Sequence, residues 1–515
     1  MTQARIGGIE YWAQHKPHEV AFIEGERALT WSQLDEHANR LAEGLHRRGI
    51  GEGDIVAVRT LVRLEWVVTA GALAKLDCAL LGVNWRLTAS EAQHLLDDSG
   101  ATALICDGAE LTEAAMAVQR AGLSLAVSID APHPAFVSYA DLIAAPAVPR
   151  QSQAEPRLLI YTSGTTGVPK GVAMGQGDGT DPAVLREYRE SIEAAAGVGE
   201  VGVQLVTMPM HHASGPSQVW GAIRKGRRVV LMRRFEPEAA LRAIQDHRVE
   251  MWAGVPTMFK RLAGLPPETL KGYDLSSIRR VSVGAAPVPY ALKLWMLDTF
   301  GRHALQENYG ATEVGMVCAL TPEMQERKPG SSGKLFRHAQ VEVRDAQGGL
   351  LPRGQIGELW VRTPVTIARY LNAGPMDAET MDARGFFRVG DVGYLDDEDY
   401  LFITDRVKDM IISGGVNIYP AEIEAALMRH GAIEDVAVIG IPHDEFGEQV
   451  MAFCQLKPGR SAHAAELMAH CAQHLASYKR PRRFEFVADL PRNGMGKVLK
   501  RELRDPYWIG KERKV

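Results

Sequence analysis

Short apolar runs rich in β-branched residues alternate with amphipathic stretches from residue 54 onward, and this alternation restricts the possible folds more than any other feature. The runs are 54–60 (DIVAVRT), 101–107 (ATALICD), 123–129 (LSLAVSI), 156–162 (PRLLIYT), 201–209 (VGVQLVTMP), 227–233 (RRVVLMR) and 279–285 (RRVSVGA). Helical patterns accompany them. In 30–49, Leu34, Ala38, Leu41 and Leu45 recur at helical spacing, and Gly49 and Gly51 follow as stop signals. Residues 236–249 read the same way. Asp181-Pro182 reads as a helix start, with Asp181 as N-cap and Pro182 at the first helical position. The stretch from Trp66 to Trp85 is apolar, but Lys75 and Asp77 interrupt it short of the ~18 residues a membrane span needs, so a buried helix followed by a strand is expected. Strand–helix alternation on this scale predicts α/β layers with largely parallel sheets.

The texture changes near Gly348. Residues 348–363 and 390–405 read as strands and hairpins, and a second, shorter βα pattern fills 421–490. A domain boundary is therefore expected near Asp405, dividing the chain into 1–405 and 406–515. A length of 515 residues suits roughly three domain-sized units, or fewer if one is large. With 46% hydrophobic and 23% charged residues, the chain is neither disordered, collagenous nor a disulfide scaffold. A net charge of −5 gives no reason to expect a nucleic-acid or anionic-membrane partner. Cys78, Cys106, Cys318, Cys454 and Cys471 are scattered and form no CxxC pair, as in a reduced cytoplasmic chain. The N-terminal segment has no apolar run of the kind a secretory signal requires.

The most specific stretch is 161–172, YTSGTTGVPKGV. It leaves an apolar strand. It carries the hydroxyls of Thr162, Ser163, Thr165 and Thr166, the glycines Gly164, Gly167 and Gly171, and the cation Lys170. Glycines let backbone N–H groups turn toward an anion, hydroxyls donate to phosphate oxygens, and the lysine adds charge. The spacing excludes a Walker A loop.

This string resembles the signature of the adenylate-forming superfamily: acyl-CoA synthetases, aryl-CoA ligases, luciferases and peptide-synthetase adenylation domains. Further segments resemble that family in the right order: NWRLTASE from Asn84, MPMHHASG, VGAAPVP, ENYGATE, FRVGD, DRVKDMIISGGVNIYPAEIE and PRNGMGKVLK. The resemblance implies a large N-terminal domain of layered α/β subdomains plus a β-rich subdomain, and a small mobile α+β C-terminal domain. It also implies two half-reactions. A carboxylate takes AMP from ATP, with Mg²⁺, and coenzyme A then displaces the AMP.

The resemblance carries roles onto particular positions. Asp391 would accept hydrogen bonds from the ribose diol, with Arg406 on ribose and phosphate. Glu313 would hold Mg²⁺ and Thr312 the α-phosphate. Tyr309 would lie against adenine, opposite Gly284, Ala285 and Ala286. Glu307, Asn308 and Gly310 belong to the same nucleotide segment, as do Thr162, Ser163, Gly164, Thr165, Thr166, Gly167 and Lys170 in the phosphate loop. Lys497 would bridge the substrate carboxylate and the α-phosphate. Lys408 matches the hinge about which the small domain swings. Gly414 and Gly415 would line the path of the CoA arm. His212 is the motif histidine, for which gating the acid pocket and simple packing weigh evenly. The chain departs from the family in two places: Lys500 stands where an arginine is common, and GQGDGT follows the phosphate loop in place of a His-containing stretch.

By family position the acid pocket would be lined near Ala213, Ser214, Gln218, Gly284, Gly310, Ala311, Met316 and Val317. Few of these are charged, so an uncharged tail is expected, whether aryl, alicyclic or medium-chain. The aspartate that pairs the α-amino group in amino-acid adenylation domains is absent from HHASGPSQ. The expected activity is that of an acid–CoA ligase acting on a small carboxylic acid, with a homodimer left open. An acyl-AMP ligase that loads a carrier protein, a luciferase-like oxygenase and a non-catalytic nucleotide-binding relative are the alternatives.

Overall fold

The structure, a computed structural model, describes residues 5–108, 111–162, 169–174, 179–197, 202–286, 288–414, 416–493 and 496–510. Each of the seven apolar runs contains a strand. Ile55–Arg59, Ala79–Gly82, Ala103–Cys106, Leu125–Ser128 and Arg157–Thr162 lie parallel in a seven-stranded sheet, and Lys170–Ala173 closes it antiparallel beside Arg157–Thr162. The four residues of Ala79–Gly82, Ala103–Cys106 and Leu125–Ser128 are buried throughout, as expected of a parallel sheet covered on both faces.

A thirteen-stranded sheet forms the second layer and changes character midway. Val203–Val206, Arg228–Leu231, Met251–Gly254, Arg280–Gly284 and Leu305–Ala311 run parallel. Beyond Leu305–Ala311 the pairing is antiparallel, through Gly315–Leu320, Gly333–Leu335, Tyr400–Arg406, Phe387–Leu395, Gly357–Arg362 and Gln340–Arg344. The β-rich region read from 348 onward is the later part of this stretch, which begins earlier than the sequence suggested, with Gly315–Leu320, Gly333–Leu335 and Gln340–Arg344. The parallel edge is completed by the hairpin Val20–Glu24 and Arg27–Thr30, which joins Arg228–Leu231 from about two hundred residues away in sequence.

The helices follow their signals. Trp31–His46 buries Leu34, Ala38, Leu41 and Leu45, and Thr30 caps it in a reciprocal box with Gln33. Pro182–Ala196 begins as read, with the Asp181 carboxylate accepting from the Ala183 amide, and ends on Gly197 in the left-handed conformation. Leu64–Lys75 is a buried helix followed by Ala79–Gly82. Among the described residues no helix is long and apolar enough to cross a membrane.

A smaller C-terminal domain has its own five-stranded sheet, Ile411–Ser413, Val416–Ile418, Ile433–His443, Gly447–Leu456 and Arg483–Val487, and its own core around Ile423, Leu427, Val438 and Leu467. Helix Pro420–Leu427 packs on Ile433–His443. The five cysteines are buried and free. Burial pushes the thiols of Cys78, Cys106 and Cys454 up to about 12, which keeps them protonated and unreactive at neutral pH.

Candidate active site

Strand Leu305–Ala311 ends where the large sheet switches from parallel to antiparallel pairing, a place where open α/β sheets gather ligands. The chain turns back through Thr312, Glu313 and Val314 into Gly315–Leu320, so Glu313 sits at a hairpin tip. A Cβ on Gly310 would collide with the Gly315 carbonyl oxygen, which is why this tight reversal takes glycine. The Thr162 hydroxyl, at the end of Arg157–Thr162 in the other sheet, donates to Glu313 Oε1 at 3.2 Å. The Tyr370 hydroxyl also hydrogen-bonds Glu313, and burial together with that carboxylate pushes its pKa up. The Lys170 ammonium lies 4.9 Å from the centre of the Tyr370 ring. Both sheets and the segment around Tyr370 thus meet at one carboxylate.

Asp391 and Arg406 face each other across the hairpin Phe387–Leu395 and Tyr400–Arg406. Arg406 Nε lies 2.9 Å from Asp391 Oδ1, and the Tyr309 hydroxyl donates to Asp391 Oδ2 at 2.6 Å. Asp391 is buried. A carboxylate offers about four lone-pair sites, so two acceptor positions remain after these contacts. Next to Tyr309, Asn308 pairs with Gly284, whose missing side chain leaves the Asn308 carbonyl room: a Cβ there would lie 2.5 Å from that oxygen. Ala285 follows with a positive φ of 62°. Ala286 and Gly284 are partly exposed beside it.

Lys497 comes to this group from the C-terminal domain. Its amide donates to the Asn493 side chain at 2.9 Å, and its carbonyl accepts from the Asn493 amide at 2.9 Å. The ε-amino group is within electrostatic reach of Arg406, Asp391, Lys408 and Asp409. Burial, and next the Arg406 cation, push it down to about 8. Lys408 lies in the single turn Val407–Asp409 between the two domains' sheets, and burial lowers its pKa as well. Lys500, where the family commonly has an arginine, is turned to the small domain's own Glu424. It is largely buried and paired with Glu424 at 2.7 Å, tying the last α-helix to Pro420–Leu427.

On the acid side, His211 and His212 precede helix Ser214–Arg224, their rings 4.5 Å apart. Burial drives His211 down to about 3 and His212 to about 4, so both are neutral. Ser214 and Gln218 are one turn apart on the helix. Ser214 Oγ and Gln218 Oε1 are buried atoms without a hydrogen-bond partner. Met316 packs toward Tyr188, whose hydroxyl donates to the Met316 carbonyl. The register of the hairpin skips Val317, which is wholly buried among Val314, Leu359 and Val361. Ala311 belongs to the fringe of that cluster.

Some expected residues stand apart. Ser163, Gly164, Thr165, Thr166, Gly167 and Gly415 lie outside the described residues, as does most of the segment after the phosphate loop. Gly414 bonds within the C-terminal sheet, its amide donating to the Phe446 carbonyl at 2.8 Å. Glu307 forms a buried ion pair with Lys293. Tyr370 and Lys293 were missed by sequence reasoning because only tertiary packing brings them to Glu313 and Glu307.

Two family models match, one described as AMP-binding enzyme over residues 9–371 and one as AMP-binding enzyme C-terminal domain over residues 422–497. A feruloyl-CoA synthase of an Amycolatopsis species is 35% identical, covering 97% of this chain and 99% of its own length. A fatty acid–[acyl-carrier-protein] ligase of Streptomyces coeruleorubidus is 32% identical, covering 100% and 98%. Among solved structures, the o-succinylbenzoate CoA synthetase of Bacillus subtilis in complex with its acyl-adenylate intermediate superimposes with a TM-score of 0.82 at 29% identity, covering 98% and 99%. The same enzyme has also been solved with ATP and a magnesium ion.

Proposed function

We propose, for a chain that belongs to the AMP-binding enzyme family, that it is an ATP-dependent carboxylic acid–CoA ligase working through an acyl-adenylate. A carboxylate oxygen of the acid attacks the α-phosphorus of ATP and the bond to pyrophosphate breaks. The CoA sulfur then attacks the acyl carbon, the bond to AMP breaks, and the thiol proton is released. The first nucleophile needs no base, because a carboxylate of ordinary pKa ~4 is ionised at neutral pH. What the protein must do is hold two anions together and meet the charge that grows on phosphorus.

The observation that carries this reading is the convergence of Lys497, Asp391, Arg406 and Tyr309, drawn from both domains, at the end of the strand that presents Glu313. Asp391 holds the ribose with its two remaining acceptor sites and is itself steadied by Tyr309 and Arg406. Thr312, at the same hairpin tip as Glu313, contacts the α-phosphate. Lys170 supplies charge beside Tyr370. The Thr162 hydroxyl and the Glu313 carboxylate are hard oxygen donors from opposite sheets, which suits Mg²⁺ held by few protein oxygens and several phosphate oxygens. The metal would neutralise phosphate charge there. Lys497 brings its cation between the acid and the α-phosphate. The turn at Lys408 is the hinge that later withdraws it and brings Gly414 and Gly415 to the CoA arm, with the two domains meeting near Asp405.

The acid is proposed to have an uncharged tail with at least one hydrogen-bonding group. Two neutral imidazoles and the unpartnered Ser214 and Gln218 atoms support this. A wholly apolar tail would leave each such atom unsatisfied, at about 1–3 kcal/mol. Five free, buried thiols fit a cytoplasmic setting. Pyrophosphate release with Mg-ATP across a panel of aryl, alicyclic and medium-chain acids tests the reading. Release only with particular acids is expected, and none with any acid while ATP still binds would overturn it. The carrier-protein ligase among the relatives favours a second thiol acceptor, so CoA and a phosphopantetheinylated carrier protein are compared in the same assay.

A further inference from the structure

The Lys497 hairpin is tied to the N-terminal domain by a chain of contacts that the proposed chemistry does not itself use. Helix Pro256–Ala263 belongs to the large domain. Its Lys260 Nζ donates to the Glu434 carbonyl at 2.9 Å, and lies 3.1 Å from Glu434 Oε1 and 3.3 Å from Asp435 Oδ2. Glu434 and Asp435 open strand Ile433–His443 of the small domain. The same Asp435 Oδ2 receives Arg492 Nη2, and Arg492 Nη1 donates to the Gly496 carbonyl at 2.9 Å. Gly496 immediately precedes Lys497. It has a φ of +73°, and a Cβ on it would collide with the side chain of Thr257, which lies on the same helix as Lys260. One helix of the large domain therefore touches the hairpin twice: directly at Gly496, and through Asp435 and Arg492.

We propose that Lys260 is a positioning residue for Lys497, acting through Asp435 and Arg492 to seat the Gly496–Lys497 turn at Asp391 and Arg406 during adenylation. The proposal rests on the acid-ligase reading above for what the seating achieves. Geometry favours a bias over a lock. The Lys260, Glu434, Asp435 and Arg492 side chains are each between a fifth and a third exposed, and ion pairs with that much water around them are weak. A domain that must leave after the first half-reaction needs contacts of that strength. The contacts of Lys260 are with Glu434 and Asp435 at the start of strand Ile433–His443, so its removal is expected to act on the arrangement of the domains in which they meet.

The test uses the full-length chain with Lys260→Met, which keeps the aliphatic stem, and Lys260→Arg as the conservative rescue. The first readout needs no acid: trace acetylation of Lys497 across pH, followed by peptide mass spectrometry. In the wild type the amine titrates near 8, where burial, Arg406 and Lys408 hold it down against Asp391 and Asp409. In Lys260→Met the midpoint moves up toward the ordinary lysine value as the amine reaches solvent, and Lys260→Arg restores it. The second readout separates the half-reactions on the first acid of the panel that is turned over. Lys260→Met slows adenylate formation about fivefold and leaves thioester formation from preformed acyl-adenylate and CoA unchanged or faster. Asp435→Asn gives the same pattern and serves as the second variant if Lys260→Met melts early. Unchanged Lys497 titration and unchanged adenylation in folded variants would overturn the proposal. A wild type that makes no adenylate would instead overturn the acid-ligase reading, and the labelling result would still decide whether Lys260 seats Lys497.

Discussion

Asp391 and Arg406 are direct cross-strand partners, and the 2.9 Å contact between their side chains leaves the second Asp391 oxygen to the Tyr309 hydroxyl at 2.6 Å. Arg406 from the same hairpin and Tyr309 from a separate strand thus converge on one buried carboxylate. Asp391→Ala removes the acceptor for a ribose diol and strands both partners. Each charge-assisted hydrogen bond is worth about 1.5–3 kcal/mol, so ATP affinity should fall at least tenfold while acid binding changes less. Calorimetric titration of both ligands checks this, and unchanged ATP affinity would reduce Asp391 to a hairpin residue.

Lys497→Ala should divide the half-reactions. Loss of one preorganised donor at a developing charge costs on the order of 10²–10³ in rate, about 2.7–4 kcal/mol. Adenylate formation should drop by that factor. Thioester formation from preformed acyl-adenylate should persist, because the proposed swing would have withdrawn the lysine by then. Equal damage to both steps, with an unchanged thermal melt, would contradict the swing about Lys408.

The pH profile follows from the same lysine. Its pKa is lowered to about 8, so the cation is complete below that value and lost above it. Adenylation in the subsaturating-ATP regime should therefore decline as pH rises through about 8. Bound ATP should move the midpoint upward, because triphosphate charge favours the protonated form. A rate flat from pH 7 to 10 would exclude Lys497 as the required cation.

Much of the fold was legible in the sequence because periodicity and caps are local. The seven apolar runs, the Asp181–Pro182 start and the Leu64–Lys75 helix are readable within a dozen residues. The pairing of Val20–Glu24 with Arg228–Leu231 was not, since nothing near residue 20 records which strand it will meet. The site divides the same way. Asp391, Arg406, Tyr309 and Lys497 stand in motif strings, and the fold gathers them. Tyr370, Lys293 and Lys260 carry no local signal, because each matters only through the residue it touches after folding. Lys500, which departs from the arginine common at that position, is paired with Glu424, a partner that nothing near it in sequence records.

The Glu307–Lys293 pair shows what that difference costs. Both side chains are nearly enclosed, and burial raises the Glu307 pKa. Breaking a buried pair from one side costs about 3–5 kcal/mol. Lys293→Met should destabilise the chain by that much in urea unfolding, and Lys293→Met with Glu307→Gln should recover most of it. No loss in the single variant would mean that water reaches Glu307.

The neighbouring histidines His211, buried, and His212, partly buried, predict acid sensitivity. Their folded pKa values, about 3 and about 4, lie below the ordinary 6.5 of an unfolded imidazole. Between pH 6.5 and 4 the unfolded state binds protons that the folded state refuses, so stability falls as pH drops through that window. Replacing His211 and His212 with glutamine should flatten this part of the urea midpoint–pH curve, and an unchanged slope would place the protons elsewhere.

The most direct test of the account follows one oxygen atom. An acid labelled with ¹⁸O in its carboxylate is turned over with Mg-ATP and CoA, and the nucleotide and phosphate products are weighed by mass spectrometry. Attack on the α-phosphorus followed by thiol displacement leaves one carboxylate oxygen on AMP, so each thioester formed should be matched by one AMP carrying one ¹⁸O and by unlabelled pyrophosphate. Label in inorganic phosphate beside ADP, or AMP without label, would contradict an acyl-adenylate at this site.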